Sequence, residues 1–216
     1  MKQLAVMLCV CTLATANGPV LAEDVNPPSW DRAAPNTTYQ QWEFSSPDLS
    51  PLPDASDNPN GVLEATVEVM DQMLWEFEYE GRGGVWPLLF LDEDYIEVPI
   101  NNTPYDASKE KIIWIQLTWE ATQAGKAPVV EEISFPGGPY TAELVEEFDI
   151  GPVTSPPWMH STYRIVLPEN PNHEVIRIGG EILVDELVID TICVPEPATM
   201  GLLTLGGLAL LRRKRN

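Results

Sequence analysis

Leu63-Glu64-Ala65-Thr66-Val67-Glu68-Val69 is the stretch that decides the fold. Its apolar residues stand at odd positions and its polar ones at even positions. After Asp71-Gln72, the series Trp75, Phe77, Tyr79 keeps the same parity against Glu76, Glu78 and Glu80. Successive side chains of a strand point to opposite faces, so a period of two predicts strands with one buried and one wet face. Glu80-Gly81-Arg82-Gly83-Gly84 then supplies a hairpin-type turn.

Outward from this core pattern, further strands are predicted over 85–91, 95–100, 111–119, 132–135, 163–167, 174–178 and 182–191. They are separated by Asn101-Asn102-Thr103-Pro104, Pro136-Gly137-Gly138-Pro139 and Glu169-Asn170-Pro171-Asn172. Only 141–148 has helical character. Residues 23–61 are rich in Pro, Asn, Asp and Ser, which prevents regular structure at this density. That segment is expected to wrap the domain, with a short strand at Trp42-Glu43-Phe44. No repeat at solenoid spacing is visible. Many brief strands with Gly/Pro/Asn punctuation indicate an all-β fold, an antiparallel β-sandwich over residues 62–193. Its closing stretch, Glu181-Ile182-Leu183-Val184-Asp185-Glu186-Leu187-Val188-Ile189-Asp190, resembles the last strand of jelly-roll modules. The resemblance turns the expectation toward a jelly-roll-like sandwich rather than an immunoglobulin-type one.

Both ends differ from the middle. Lys2, the apolar run Leu4–Cys11 and the small residues before Ala22 describe a secretory signal peptide over 1–22. At the other end, Val194-Pro195-Glu196-Pro197 precedes fourteen uncharged, mostly apolar residues, 198–211, and then Arg212-Arg213-Lys214-Arg215. A freestanding span needs roughly 20 residues, so this short hydrophobic helix suits transient rather than permanent residence in the inner membrane. The basic end stays cytoplasmic by the positive-inside bias. Residues 194–216 resemble the PEP-CTERM sorting signal of exported bacterial proteins. The resemblance implies that the motif (Val194, Pro195, Glu196, Pro197) and its basic end (Arg212, Arg213, Lys214, Arg215) are handled by an exosortase, a membrane transpeptidase-like enzyme. It also implies removal of the tail and an envelope that makes exopolysaccharide.

Between these ends, residues 23–195 hold 32 acids against 7 bases, near −25, whereas the whole chain carries −21. That charge excludes nucleic acid as a partner, because every phosphate contact would begin from repulsion. It favours solubility and leaves room for divalent cations. Of the 3 cysteines, Cys9 and Cys11 leave with the signal peptide. Cys193 then has no intramolecular partner, and reads as a small residue ending the last strand or as an intermolecular thiol.

No catalytic motif is present. Carboxylates such as Asp92-Glu93-Asp94 and Glu131-Glu132 read as solvated faces. His160 and His173 lack zinc-type spacing and cysteine partners, and no nucleophile elbow surrounds Ser161. Asp54-Ala55-Ser56-Asp57-Asn58-Pro59-Asn60-Gly61 packs hard oxygen ligands, which makes Asp54, Asp57 and Asn60 calcium candidates. An ordinary Asx-turn cluster accounts for the same residues. Among seven tryptophans, Trp75, Trp114 and Trp119 lie within strand patterns. Trp30, Trp42, Trp86 and Trp158 lie near proline or loop segments. There a ring either packs at a core edge or stacks on a sugar face, and Trp158 and Trp86 are the glycan-binding candidates.

The expectation is therefore an exported, non-enzymatic cell-surface or extracellular-matrix protein with a structural or adhesive role, needing no cofactor unless calcium binds. Its expected partners are the sorting enzyme, the inner membrane transiently, and extracellular polysaccharide. The alternatives are a carbohydrate-binding jelly-roll module using loop aromatics and, less favoured, a secreted hydrolase.

Overall fold

The computed structural model describes residues 24–71, 74–151 and 156–195. The signal peptide expected over 1–22 and residues 196–216 of the tail lie outside them. The described chain contains no α-helix.

Thirteen strands run in chain order: β1 Thr37–Trp42, β2 Ala55–Asp57, β3 Thr66–Glu68, β4 Glu76–Tyr79, β5 Arg82–Leu88, β6 Tyr95–Asn101 and β7 Lys109–Ala121, then β8 Val129–Glu132, β9 Tyr140–Thr141, β10 Glu143–Asp149, β11 Trp158–Leu167, β12 His173–Gly179 and β13 Ile182–Pro195. They form two antiparallel sheets. The larger has the order β10-β11-β7-β13-β1-β2, with the β4–β5 hairpin joined to β13 beyond the end of β1; the smaller has the order β3-β6-β12-β8-β9. The all-β, antiparallel expectation is met.

Face-to-face packing of the two sheets follows from strand alternation. From the smaller sheet, Val67, Ile96, Val98, Ile100, Ile176 and Ile178 point into one core; from the larger, Ile113, Ile115, Leu117, Ile165, Leu187 and Ile189 meet them. Each such side chain contributes about 1.5–3 kcal/mol of transfer free energy when removed from water. β13 is the backbone of the larger sheet. It pairs with β7 from Ile182 to Pro195, and on its other side with β5 at Ile182–Val184 and β1 at Leu187–Ile192. A bulge at Val184/Glu186 lets one strand serve both neighbours.

The outer face of the larger sheet is covered by the start of the described chain. Trp114 Nε1 donates to the Asn26 carbonyl at 2.9 Å, Asn26 N–H donates to Gln116 Oε1 at 2.7 Å, and Trp30 meets Trp114 edge-on at 6.3 Å. Arg32 donates to both oxygens of the fully buried Asp190 at 2.5 and 2.6 Å and also pairs with Asp24. These bonds tie residues 24–32 to β7 and β13.

Three sequence expectations are corrected. Residues 141–148 form strands, not a helix: β10 pairs with β11 from Glu143 to Asp149. Their apolar residues Leu144, Val145 and Phe148 have helical spacing, but an edge pairing satisfies the backbone and leaves Leu144 and Val145 exposed. The parity rule fails at Phe77, which is 74% exposed, because β4 belongs to a two-stranded hairpin that projects from the sheet. Its turn matches the prediction, with Glu80 and Gly81 both at positive φ (52° and 84°), as a tight hairpin turn requires. The predicted strand 132–135 begins earlier, at Val129, and Ser134–Phe135 belong to a loop.

Candidate functional site

The two tryptophans singled out for glycan contact are core residues. Trp86 and Trp158 are both fully buried, so neither offers a ring face to a ligand. Trp86 lies on β5 opposite Val184 of β13, and Trp158 opens β11 opposite Glu120. Adjacent prolines suggested loops, yet Pro87 sits inside β5 opposite Leu183, where β5 pairs with β13 on one side only and so tolerates a missing N–H.

The calcium candidates fold as an edge strand and a turn. Asp54 Oδ2 accepts the Glu43 N–H at 2.8 Å, Asp57 lies in β2 opposite Tyr39, and Asn60 N–H closes an Asx turn on Asn58 Oδ1 at 3.0 Å. Of the three, the Asp54 carboxylate is committed to the backbone of Glu43. Among the described residues no group of three or more His, Cys, Asp or Glu side chains is placed to hold a metal.

A different place gathers recognition chemistry. The loops after β6, after β8 and after β11 converge on an open groove of about 510 Å³. Three aromatic rings line it, Tyr105, Phe135 and Tyr140, together with Pro136, Pro168 and Pro171. Ser134, Glu169, Asn172 and His173 supply polar groups. Phe135 and Tyr140 pack edge to face at 5.7 Å, a geometry aromatic pairs favour. Tyr105 is 53% exposed. Its hydroxyl donates to Glu169, whose carboxylate holds the phenol above its ordinary pKa.

Each wall is fixed by polar contacts the sequence places beneath it. The fully buried Glu132 accepts from Ser134 N–H at 2.8 Å, Ser134 Oγ at 2.5 Å and Phe135 N–H at 2.9 Å, pinning the turn that presents Phe135. Asp106 accepts Ser108 N–H at 3.0 Å and Ser108 Oγ at 2.6 Å and pairs with Lys109; these contacts hold its pKa down at about 2. Asn172 Oδ1 accepts the Tyr105 N–H at 2.7 Å. Asn170 Nδ2 donates to the Thr103 and Pro104 carbonyls at 3.3 and 3.2 Å.

Under the floor lies a buried ionic cluster. Lys111 Nζ donates to Asn102 Oδ1 at 2.5 Å and stands 3.6 Å from Glu174 Oε1 and 3.7 Å from Cys193 Sγ. Asn102 Nδ2 in turn donates to Glu174 Oε2 and to the Pro171 carbonyl. The Cys193 thiol donates to Asn170 Oδ1 at 3.0 Å. Lys111, Glu174 and Cys193 are all buried. Burial pushes Glu174 up to about 7, against the pull of the Lys111 ammonium. Burial likewise raises Asp190 to about 6 despite Arg32.

These shifts set a pH dependence. Both carboxyls bind protons more tightly folded than unfolded, so the folded chain takes up protons first as pH falls. Stability is expected to rise by on the order of 3 kcal/mol from about pH 8 to about pH 5, and to level off near the unfolded carboxylate values. Below that, Asp24 and Asp106, whose pKa values are lowered, reverse the trend. Chemical denaturation across this range measures it; a stability maximum above pH 7 would contradict the assignment.

Val194 and Pro195 end β13, paired with Glu110 and Lys109 of β7; Glu196, Pro197 and Arg212–Arg215 lie outside the described residues. The sorting signal into which the last strand runs marks an exported protein sorted by an exosortase. The signal is the PEP-CTERM protein-sorting motif, whose family model matches residues 194–215. No curated protein and no solved structure matches the chain. Among the described residues no helix is long and apolar enough to cross a membrane.

Proposed function

We propose that this chain is a non-enzymatic cell-surface or matrix protein that adheres to extracellular polysaccharide through the groove of Tyr105, Phe135 and Tyr140. The observation that carries the reading is the meeting of three aromatic rings with hydrogen-bonding groups of both kinds in one open groove. Aromatic faces suit the C–H faces of a sugar, while Glu169, Asn172, Ser134 and His173 suit its hydroxyls. Rigid loops lower the entropy lost on binding, and the groove walls are held by buried side chains. The charge of residues 23–195, near −25, disfavours polyanions, so the fitting polymer is neutral or carries amino groups. One groove gives modest affinity; retention in a matrix then comes from many copies acting on one polymer.

The test is a glycan array and a polysaccharide pull-down with the exported form. Tyr105→Ala is expected to weaken binding about tenfold or more, in the range of an interface hot spot, with the melting temperature unchanged because the side chain is exposed. Absence of binding to every neutral and amino polysaccharide tried, or binding indifferent to Tyr105→Ala, would defeat the proposal.

A further inference from the structure

We infer that the sandwich end carrying the groove is the surface the sorting enzyme meets while the tail is attached. This inference rests on the sorting motif and not on the saccharide reading. β13 is an interior strand up to Ile192, flanked by β7 and by Thr37 of β1. Its next residue is locked: Cys193 N–H donates to the Asn36 carbonyl at 3.1 Å, its carbonyl accepts Asn36 Nδ2, and its thiol donates to Asn170 Oδ1 at 3.0 Å. The matched motif starts at the following residue, Val194, and Val194 and Pro195 are themselves still paired with β7. Fold and signal therefore overlap, with no spacer between them.

Chain reach turns this into contact. An extended chain covers about 3.4 Å per residue, so an enzyme holding the residues just after Pro195 has its surface within about 10 Å of the folded end. Peeling the strand back to gain room would break the Cys193 locks in the middle of a sheet. The partner therefore meets what surrounds Pro195. Lys109, opposite Pro195, is paired with Asp106 at 3.1 Å, and Asp106 bridges to Asn170. Tyr105 and Glu169, beside these two residues, form the groove rim. The groove thus faces the membrane-bound enzyme until the tail is released.

The opposite end provides a control. β7 runs 13 residues from Lys109 to Ala121, about 40 Å at strand rise, so the turn containing the exposed Ala124 is remote from Pro195. A photo-crosslinking residue is placed at Ala107, at Pro168 or at Ala124 in the full chain, in an exporting host with a tagged exosortase-type enzyme. Crosslinking to the enzyme is expected to be about tenfold stronger from 107 and 168 than from 124. An insert of about 24 Gly/Ser residues between Cys193 and Val194, about 27 Å in mean reach, is expected to remove that excess by diluting the domain around the enzyme. Equal crosslinking from both ends, crosslinking of 107 and 168 to lipid alone, or an excess that survives the insert would overturn the inference. None of these readouts depends on saccharide, so its failure is separable from that of the groove's proposed function.

Discussion

Lys111→Met is expected to lower stability by about 3 kcal/mol at about pH 9, where the Glu174 carboxyl is ionised, in the range for stripping one partner from a buried ion pair. Lys111 lies beneath the groove floor with its ammonium between Asn102, Glu174 and Cys193. Without it, the fully buried Glu174 keeps one bond from Asn102 and loses its counter-charge. The carboxyl responds by holding its proton to higher pH, so the loss should shrink as pH falls toward about 5. The double variant Lys111→Met/Glu174→Gln removes both charges and is expected to recover more than half of the loss, because most of the cost is an unpaired buried charge. Urea unfolding of the three proteins measures this. A single-variant loss below about 1 kcal/mol would show the cluster to be open to water.

Trp86→Ala is expected to cost about 4 kcal/mol, the sum of lost transfer free energy and an unfilled cavity. Its ring lies fully buried where β5 joins β13. The backbone beside it has no room to follow: Gly84, at φ 82°, passes so close to Phe44 that an added Cβ would sit 2.3 Å from the Phe44 carbonyl oxygen. Polysaccharide binding by the fraction of Trp86→Ala that remains folded should equal that of the parent. A selective loss of binding with stability retained would return Trp86 to the role of a ligand contact.

The strands were largely legible, because alternation reports burial directly wherever one face meets the core. Tyr95–Asn101 and His173–Gly179 read well for this reason: Ile96, Val98, Ile100, Ile176 and Ile178 point inward, against Glu97, Asn101 and Arg177 outward, with the buried Glu174 as the exception. Alternation misleads where a strand buries neither face, as at Phe77, and it is masked where apolar residues cluster on an exposed edge, as at Leu144 and Val145. The groove was hidden for another reason. Its three walls are the separators of the sequence reading: Asn101–Pro104 leading to Tyr105, Pro136–Pro139 between Phe135 and Tyr140, and Glu169–Asn172 before His173. Each contains ordinary turn chemistry, and only the register of β6, β8, β11 and β12 brings them together. An aromatic or histidine beside each Pro/Gly/Asn cluster was the available signal. The tryptophans drew attention by size, and large rings are what a sandwich core retains.

The sorting signal was fully legible, since it is a linear motif read without a fold. Its junction with the domain was not. Nothing in Cys193-Val194-Pro195 states that the sheet continues into the signal; that depends on β7 starting at Lys109 and pairing to the last residue of β13.

The exported domain is proposed to bind polysaccharide in the groove beside its sorting junction. The most direct measurement is amide hydrogen exchange of the exported form with and without the host's own extracellular polysaccharide. Added protection is expected, confined to residues 101–108, 133–140 and 168–173. Protection centred elsewhere, for example on the β4–β5 hairpin or along β10, or no protection at saturating polymer, would contradict it.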